Sequence, residues 1–535
     1  MKTKKKTSKI GLFQLTMLGL GSLIGSGWLF GAWEAAQLAG PAAIISWVIG
    51  GIIIGSIAYN YIELGTMFPQ SGGMSKYAQY THGSLLGFIA SWANWISLIT
   101  LIPIESVAAV QYMSSWPWKW ANWTNNFISN GSITSEGLLV VFLFIVVFTL
   151  LNYWSVELLA NFTSFISIFK IGVPLLTIIM LMLSGFHVSN YGSSLHEFIP
   201  YGTAPIFAAT TVSGIIFSFN AFQTVINMGS EVENPKRNIG RGITYSLLIS
   251  GLIYILLQST FITSLDPKMI SVTGWHGINF SSPFADLAML LGIHWLSVLL
   301  YMDAFISPFG TGVSFVASSS RTLAAMVSNN HIPKFLGTIN KKYRTPRVAM
   351  LVNAVLSMLV VSIFRSWGTL ASVISTSTLI AYLTGPVTVI SLRKMAPEFT
   401  RPFRGKILRF MAPLSFVLAS LATYWAMWPT TIEVIFVILL GIPLYVYYEW
   451  RTGFNKTKKA FAGCFWMIGY LIFISAMSFI GSAEFNGQGW IHYPFDFAVI
   501  IMGSLGFYYW GTVSHVMTKY FKQAQNINSK VKIKK

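Results

Sequence analysis

The stretch Gly19–Phe30 reads GLGSLIGSGWLF. It lies inside the first long apolar segment and holds Gly19, Gly21, Gly25 and Gly27, with Ser22 and Ser26 among them. Glycine loses the most backbone freedom on ordering, so it weakens a helix interior. A bilayer cannot hydrate a broken backbone. An interruption there is tolerated only where it is buried in protein or lines a water-filled cavity. The stretch predicts a membrane helix that comes apart near residues 22–27.

The rest of the chain fits that solvent. It has 535 residues, 54% hydrophobic and 10% charged, with mean hydropathy +0.62. Soluble domains carry about 25% charged residues. The composition predicts an all-α polytopic membrane protein. The single cysteine, Cys464, excludes an intramolecular disulfide and sits in an apolar run as a small buried side chain. The net charge of +19 is spread over short segments between apolar runs, with no soluble aromatic-basic platform for nucleic acid. The basic start MKTKKKTSKIG precedes an apolar run too long for a signal peptide and without a small-residue cleavage pattern, so residues 1–11 are expected to remain as a cytoplasmic tail.

Apolar runs near 12–36, 41–66, 85–112, 137–152, 160–184, 204–229, 238–263, 294–322, 347–364, 367–392, 410–428, 431–449, 462–481 and 494–516 give fourteen expected spans. The even number puts both termini on one side. With loops 67–84, 153–159, 230–237, 323–346, 393–409 and 450–461 on that side, only Lys119, Lys268 and Arg365 fall outside. This is the positive-inside pattern. It makes the expected location the cell (inner) membrane, with a second basic tail at 517–535. Trp116, Trp118, Trp120 and Trp123 read as an interfacial aromatic belt. The outer stretches 113–136, 185–203 and 264–293 are too short for an independent domain.

Span 6, IFAATTVSGIIFSFNAFQTVINMG (206–229), carries polar Ser218, Asn220 and Gln223 near its middle. Spans 1 and 6 begin two five-span sets of opposite topology. Interrupted helices at matching places in two halves point to an inverted-repeat transporter. Packing through small residues is the bland alternative for either span alone.

At these residues the chain resembles the amino acid–polyamine–organocation permeases. The matching motifs are GSGWLF, AYNYIELGTMFPQSGGMSKYAQY, FSFNAFQTVINMGSEVENPKRNIGRGI and SSSRTLAAM, within residues 10–400. LNYWSVELLANFTSFISIFK, LQSTFI, YMDAFISP and FRGKILRFMAPLSF look most like the bacterial aspartate–proton symporter branch. The resemblance implies a 5+5 inverted-repeat core over 12–392, a cytoplasmic loop at 393–409 and four further spans over 410–516. It also implies amino acid import coupled to proton influx.

A broken helix exposes N–H groups and a partial positive charge on the half that follows. An α-carboxylate suits that end. Gly25 and Gly27 allow close approach, and Ser22 and Ser26 offer hydroxyls. In span 6 the carbonyls around Phe217, Ser218, Phe219 and Asn220 are expected to accept from an α-ammonium. The family commonly has glycine at Ala221 and an acid at Gln223, which predicts a milder break here.

Lys170 lies about ten residues into span 5, roughly 15 Å deep in a ~30 Å core. A charged lysine there costs about 2.5–3.5 kcal/mol on the insertion scale, so it must face protein or water. The resemblance implies that its ammonium replaces a bound cation and steadies span 1 against span 8. A permanently charged lysine satisfied by carbonyls is the plainer reading. Glu105 in span 3 and Asp303 in span 8 are intramembrane acids at similar depth. They are candidates to relay protons, share one proton, or line the outer vestibule, with a structural role standing beside these. No intramembrane arginine is available to clamp a second substrate carboxylate, and Ser375–Thr378 add weak polar candidates. Glu63, Glu231 and Glu233 face basic loops and read as gate or salt-bridge residues.

The eight histidines lack metal-ligand spacing; His82, His276 and His331 fall in loops. No phosphate-cradling loop and no nucleophile–base pair appears. The reading expects no enzyme, no catalytic residue, no metal and no cofactor. Its partners are an amino acid, a proton and the lipid bilayer. Proton-coupled uptake of acidic amino acids by alternating access leads. An exchanger of other amino acids and a non-transporting sensor are the alternatives.

Overall fold

The computed structural model describes residues 9–70, 74–154, 156–327, 332–340, 343, 345–451 and 461–533. The lysines of residues 2–6, and His331, lie outside the described residues. Seven described helical runs are long and apolar enough to cross a membrane, eight when the bent pair described below counts as one span. The chain is a polytopic all-α membrane protein. Among the described residues, β pairing is confined to a hairpin with two residues in each strand, Ile128–Ser129 against Ser132–Ile133 in an outer stretch, and one bridge between Ile10 and Val232.

Every expected span contains helix. The first holds α1 (Leu12–Leu23) and α2 (Gly27–Ala39), and the second α3 (Ala43–Met67). A short α4 (Met74–His82) precedes α5 (Ser84–Met113). Then come α6 (Ser135–Trp154), α7 (Val156–Ser184) and a single turn, α8 (Leu195–Phe198). Span 6 is three pieces, α9 (Ala204–Val212), α10 (Ile215–Ser218) and α11 (Gln223–Asn227). The long α12 (Pro235–Ser264) follows, then two short outer helices, α13 (Pro267–Thr273) and α14 (Pro283–Leu290), and then α15 (His294–Val327) and α16 (Arg347–Ile363). Next are α17 (Trp367–Tyr382), α18 (Thr384–Met395), α19 (Leu408–Tyr424), α20 (Thr430–Leu439) and α21 (Gly441–Arg451). The chain closes with α22 (Phe465–Ile480), α23 (Phe495–Val513) and α24 (Lys519–Ile533).

Three local expectations change. The loop at 153–159 is mostly helix, because α7 already begins at Val156. The segment 67–84 hides α4, which is buried without interruption from Tyr77 to His82. The C-terminal tail forms α24, which buries Tyr520, Phe521 and Ala524.

Polar side chains survive inside the span helices by turning back on their own backbone. The hydroxyls of Thr16, Thr66, Ser91 and Thr100 each donate to a carbonyl four residues earlier. α5 is buried almost along its whole length and so stands at the centre of the molecule. It therefore holds Asn94 and Glu105 against the two broken spans.

At the end with the basic loops, Glu63 of α3 is fully buried. Arg393 of α18 grips it bidentately, Nε at 2.9 Å and Nη2 at 2.5 Å, and the Gly405 N–H adds a third bond at 3.1 Å. Arg401 lies 3.6 Å away and caps the carbonyls of Leu392 and Ala396. The expected salt-bridge role of Glu63 takes this form.

Candidate functional site

Span 1 breaks inside the quoted stretch. α1 stops at Leu23, Ile24 turns extended (φ −83°, ψ 93°), and α2 restarts at Gly27. The two ends are then claimed by a base and an acid. At the carbonyl end of α1, the Lys170 ammonium donates to Gly21 O at 2.8 Å and to Thr311 Oγ1 at 2.6 Å. At the amide end of α2, Ser26 N–H donates to the Glu105 carboxyl at 3.1 Å. A cation at a helix C-terminus and an acid at an N-terminus both complement the macrodipole. The break is thus held by α7 and α15 on one side and by α5 on the other.

Gly25 explains the closeness. A Cβ built there would lie 2.8 Å from Glu105 Oε1 and 3.4 Å from Thr311 Cγ2. Lys170, Thr311, Gly25 and Glu105 therefore form one connected cluster. At Gly27 a Cβ would run into the Ser218 hydroxyl, so only glycine lets the two broken spans touch. Tyr254 of α12 joins them further, its hydroxyl 2.8 Å from Leu23 O and 3.2 Å from Ser218 O.

The second break falls earlier than Phe217–Ala221. α9 and the following helical stretch Ile215–Asn227 are bent by 45° at Ser213–Gly214. Gly214 takes φ +75°, which glycine adopts without strain. The Trp367 ring fills the place of its missing side chain, 2.6 Å from an ideal Cβ. A milder irregularity follows at Phe219, after which Asn220–Phe222 tighten into a 3₁₀ turn. The expected ammonium acceptors are also partly taken. Ser218 O faces Tyr254, and Asn220 O accepts from the Tyr382 hydroxyl at 2.7 Å.

Other expected site residues divide into committed and open. The Ser22 hydroxyl donates to Leu18 O, and that of Ser26 accepts from Trp367 Nε1 at 3.0 Å. Asn220 is fully engaged: its Nδ2 donates to Thr378 and Ser97, and its Oδ1 accepts from Tyr382. Within the polar run of span 10, Thr378 thus has a defined partner. Asp303 accepts from Ser307 at 2.7 Å, its other oxygen is buried without a partner, and no hydrogen bond joins it to Glu105. A proton shared directly by that pair is not seen among the described residues.

A cavity of about 240 Å³ runs from this cluster to the end with the basic loops. Its upper wall includes Ser22, Gly25, Glu105, Phe217, Asn220 and Ala221; Gln223 and Thr224 follow. Its mouth includes Met228, Glu231, Arg321 and Thr322. Toward the opposite face, aromatic rings close the way. Phe30 stacks on Trp367 at 5.0 Å, Trp28 on Phe284 at 5.7 Å, and Phe30 meets Tyr112 edge-on at 5.3 Å. Ser22 and Gly25, at the interruption, thus line a cavity.

The amino acid permease family model matches residues 10–449. The chain belongs to the amino acid–polyamine–organocation permease family. It is 48% identical over 523 residues to the glutamate/serine transporter AimA of Bacillus subtilis (strain 168), covering 98% of this chain and 97% of that one. It is 34% identical to the aspartate-proton symporter of the same organism over 507 residues, 94% and 95% of the two chains. A branched-chain amino acid permease, BcaP, also of B. subtilis, is 23% identical over 463 residues. These relatives are transporters. In the permease, Tyr254, Thr311, Trp367 and Tyr382 were missed by the sequence reading. Each acts through a contact between distant spans, which no local pattern reveals.

Proposed function

We propose that this permease imports acidic amino acids, aspartate or glutamate, together with protons, by alternating access. The fold that serves this is a 5+5 inverted-repeat core of ten spans followed by four more, with both termini in the cytoplasm. The observation that carries the reading is the Lys170 ammonium bridging Gly21 O and Thr311 Oγ1 beside the opened backbone at Gly25.

On this reading the cavity opens to the cytoplasm and the aromatic layer closes the outside. The substrate's α-carboxylate binds the freed amides of Ser26 and Gly27, the first of which the Glu105 carboxyl now occupies. Substrate and protein acid compete for the Ser26 N–H, so loading requires Glu105 to withdraw or to carry a proton. Charged Lys170 holds α1 against α15. Loss of its proton to the cytoplasm removes the charge from that tie and frees spans 1, 2, 6 and 7 to rock. The names of the glutamate/serine and aspartate–proton relatives support the substrate class.

Reconstitution into proteoliposomes tests the proposal. An imposed inward proton gradient should drive accumulation of radiolabelled aspartate or glutamate. Flux that needs internal amino acid but no gradient would establish exchange instead, and binding without flux a sensor.

A further inference from the structure

Three carboxamides line the cavity below the two breaks: Asn94 of α5, and Gln223 and Asn227 of α11. Asn94 and Gln223 are more than nine-tenths buried. The side-chain oxygen of each of the three has no hydrogen-bond partner among the described residues and no surface open to the cavity, so each amide has to turn to present it to a ligand. Buried amides are rarely left so, because an unmade bond costs the full desolvation of the group.

Their register makes them a group. The Asn220 amide reaches Ser97 Oγ at 3.3 Å, which pins the second break to α5. Toward the mouth, α5 runs to lower numbers and span 6 to higher ones. Three residues on from that contact stand Asn94 on one side and Gln223 on the other, both about 4.5 Å nearer the mouth. Asn227 lies one turn, about 6 Å, further. Arg321 and Glu231 are exposed at the mouth itself, so no charged side chain belongs to this level of the wall.

We infer that Asn94, Gln223 and Asn227 form a charge-neutral subsite that takes the hydrogen-bonding end of the substrate's side chain. The inference rests on the amino acid transport proposed above and defines what that site selects. A carboxamide offers a donor and an acceptor, and rotation exchanges them. The subsite therefore satisfies a carboxylate, a carboxamide or a hydroxyl. It turns away an apolar side chain, which leaves the amides unpaired. With Arg321 out at the mouth and no arginine beside the three amides, glutamate and glutamine are accepted alike.

The test is a competition panel against radiolabelled glutamate uptake in proteoliposomes, with unlabelled glutamine, serine, alanine and leucine. Wild type should accept glutamine and serine within about 10-fold of glutamate and reject leucine, the order expected from one unpaired buried polar group. Asn94→Leu and Gln223→Met should weaken glutamine and serine by about 10-fold and leave alanine unchanged. The near-isosteric Gln223→Glu should weaken glutamate while sparing glutamine. Wild type that separates glutamate from glutamine by more than about 1000-fold overturns the subsite, as do variants that keep the wild-type order or weaken all competitors equally. If wild type imports no amino acid at all, the transport proposal falls instead.

Discussion

Lys170 and Glu105 place a base and an acid on the two ends of one opened helix, and each contact answers a specific orphan group of the backbone. Lys170→Ala removes the tie between α1 and α15. We expect gradient-driven accumulation to be lost, while exchange of internal for external substrate persists within a few-fold; counterflow against net uptake separates the two. Glu105→Gln keeps an acceptor for Ser26 N–H but cannot ionise. It should bind substrate with affinity near wild type and show a flattened dependence of uptake on external pH. Lys170 was legible in the sequence because its depth follows from counting residues. Its partner Thr311 was not, because one hydroxyl among the many of span 8 carries no local signal. Asn94 was missed for the same reason: a lone asparagine in an apolar run reads as packing until its unpaired oxygen is seen.

At the level of elements, the glycines divide by what their missing side chains would meet. Gly27→Val should abolish uptake, because the side chain would drive α2 away from Ser218 and Phe217. Gly55 has no atom within 4 Å of an ideal Cβ. Gly55→Ala should leave transport within twofold and raise stability by about 0.5–1 kcal/mol, read as detergent melting temperature. The first break was legible as a glycine cluster. In span 6 a mild interruption does fall at Phe219, but the main bend lies earlier, at Gly214, whose left-handed backbone a lone glycine in an apolar run does not announce. Helix α4 was also hidden. It docks through His82, whose Nε2 lies 2.9 Å from Gly511 O and whose Nδ1 lies 2.7 Å from Thr81 Oγ1. Burial pushes the His82 imidazole down to about 4 from the usual 6.5. A depressed folded value means the neutral ring stabilises the fold above about 6.5, and that contribution is lost as pH falls toward 4. Melting temperature should therefore drop between pH 6.5 and 4 in wild type, and less steeply in His82→Gln.

Across the whole molecule, the cavity is closed on one face by packed aromatics and has Glu231 and Arg321 at its mouth on the other, while the Glu63–Arg393 pair separately ties α3 to α18. Arg393→Met leaves a fully buried acid short of its main partner and should cost about 3 kcal/mol of stability. Adding Glu63→Gln should restore part of that loss, as a double-mutant cycle of melting curves will show. Segment order and the membrane setting were legible, since apolar length and charge asymmetry are properties of the sequence alone. The arrangement of helices around α5 was not, since it depends on contacts between spans far apart in the chain. The central proposal is that proton movement through Lys170 accompanies substrate import. Proteoliposomes loaded with a pH-sensitive dye test it most directly. Addition of external glutamate or aspartate should acidify the lumen with wild type and leave it unchanged with Lys170→Ala; equal acidification by both proteins would contradict the account.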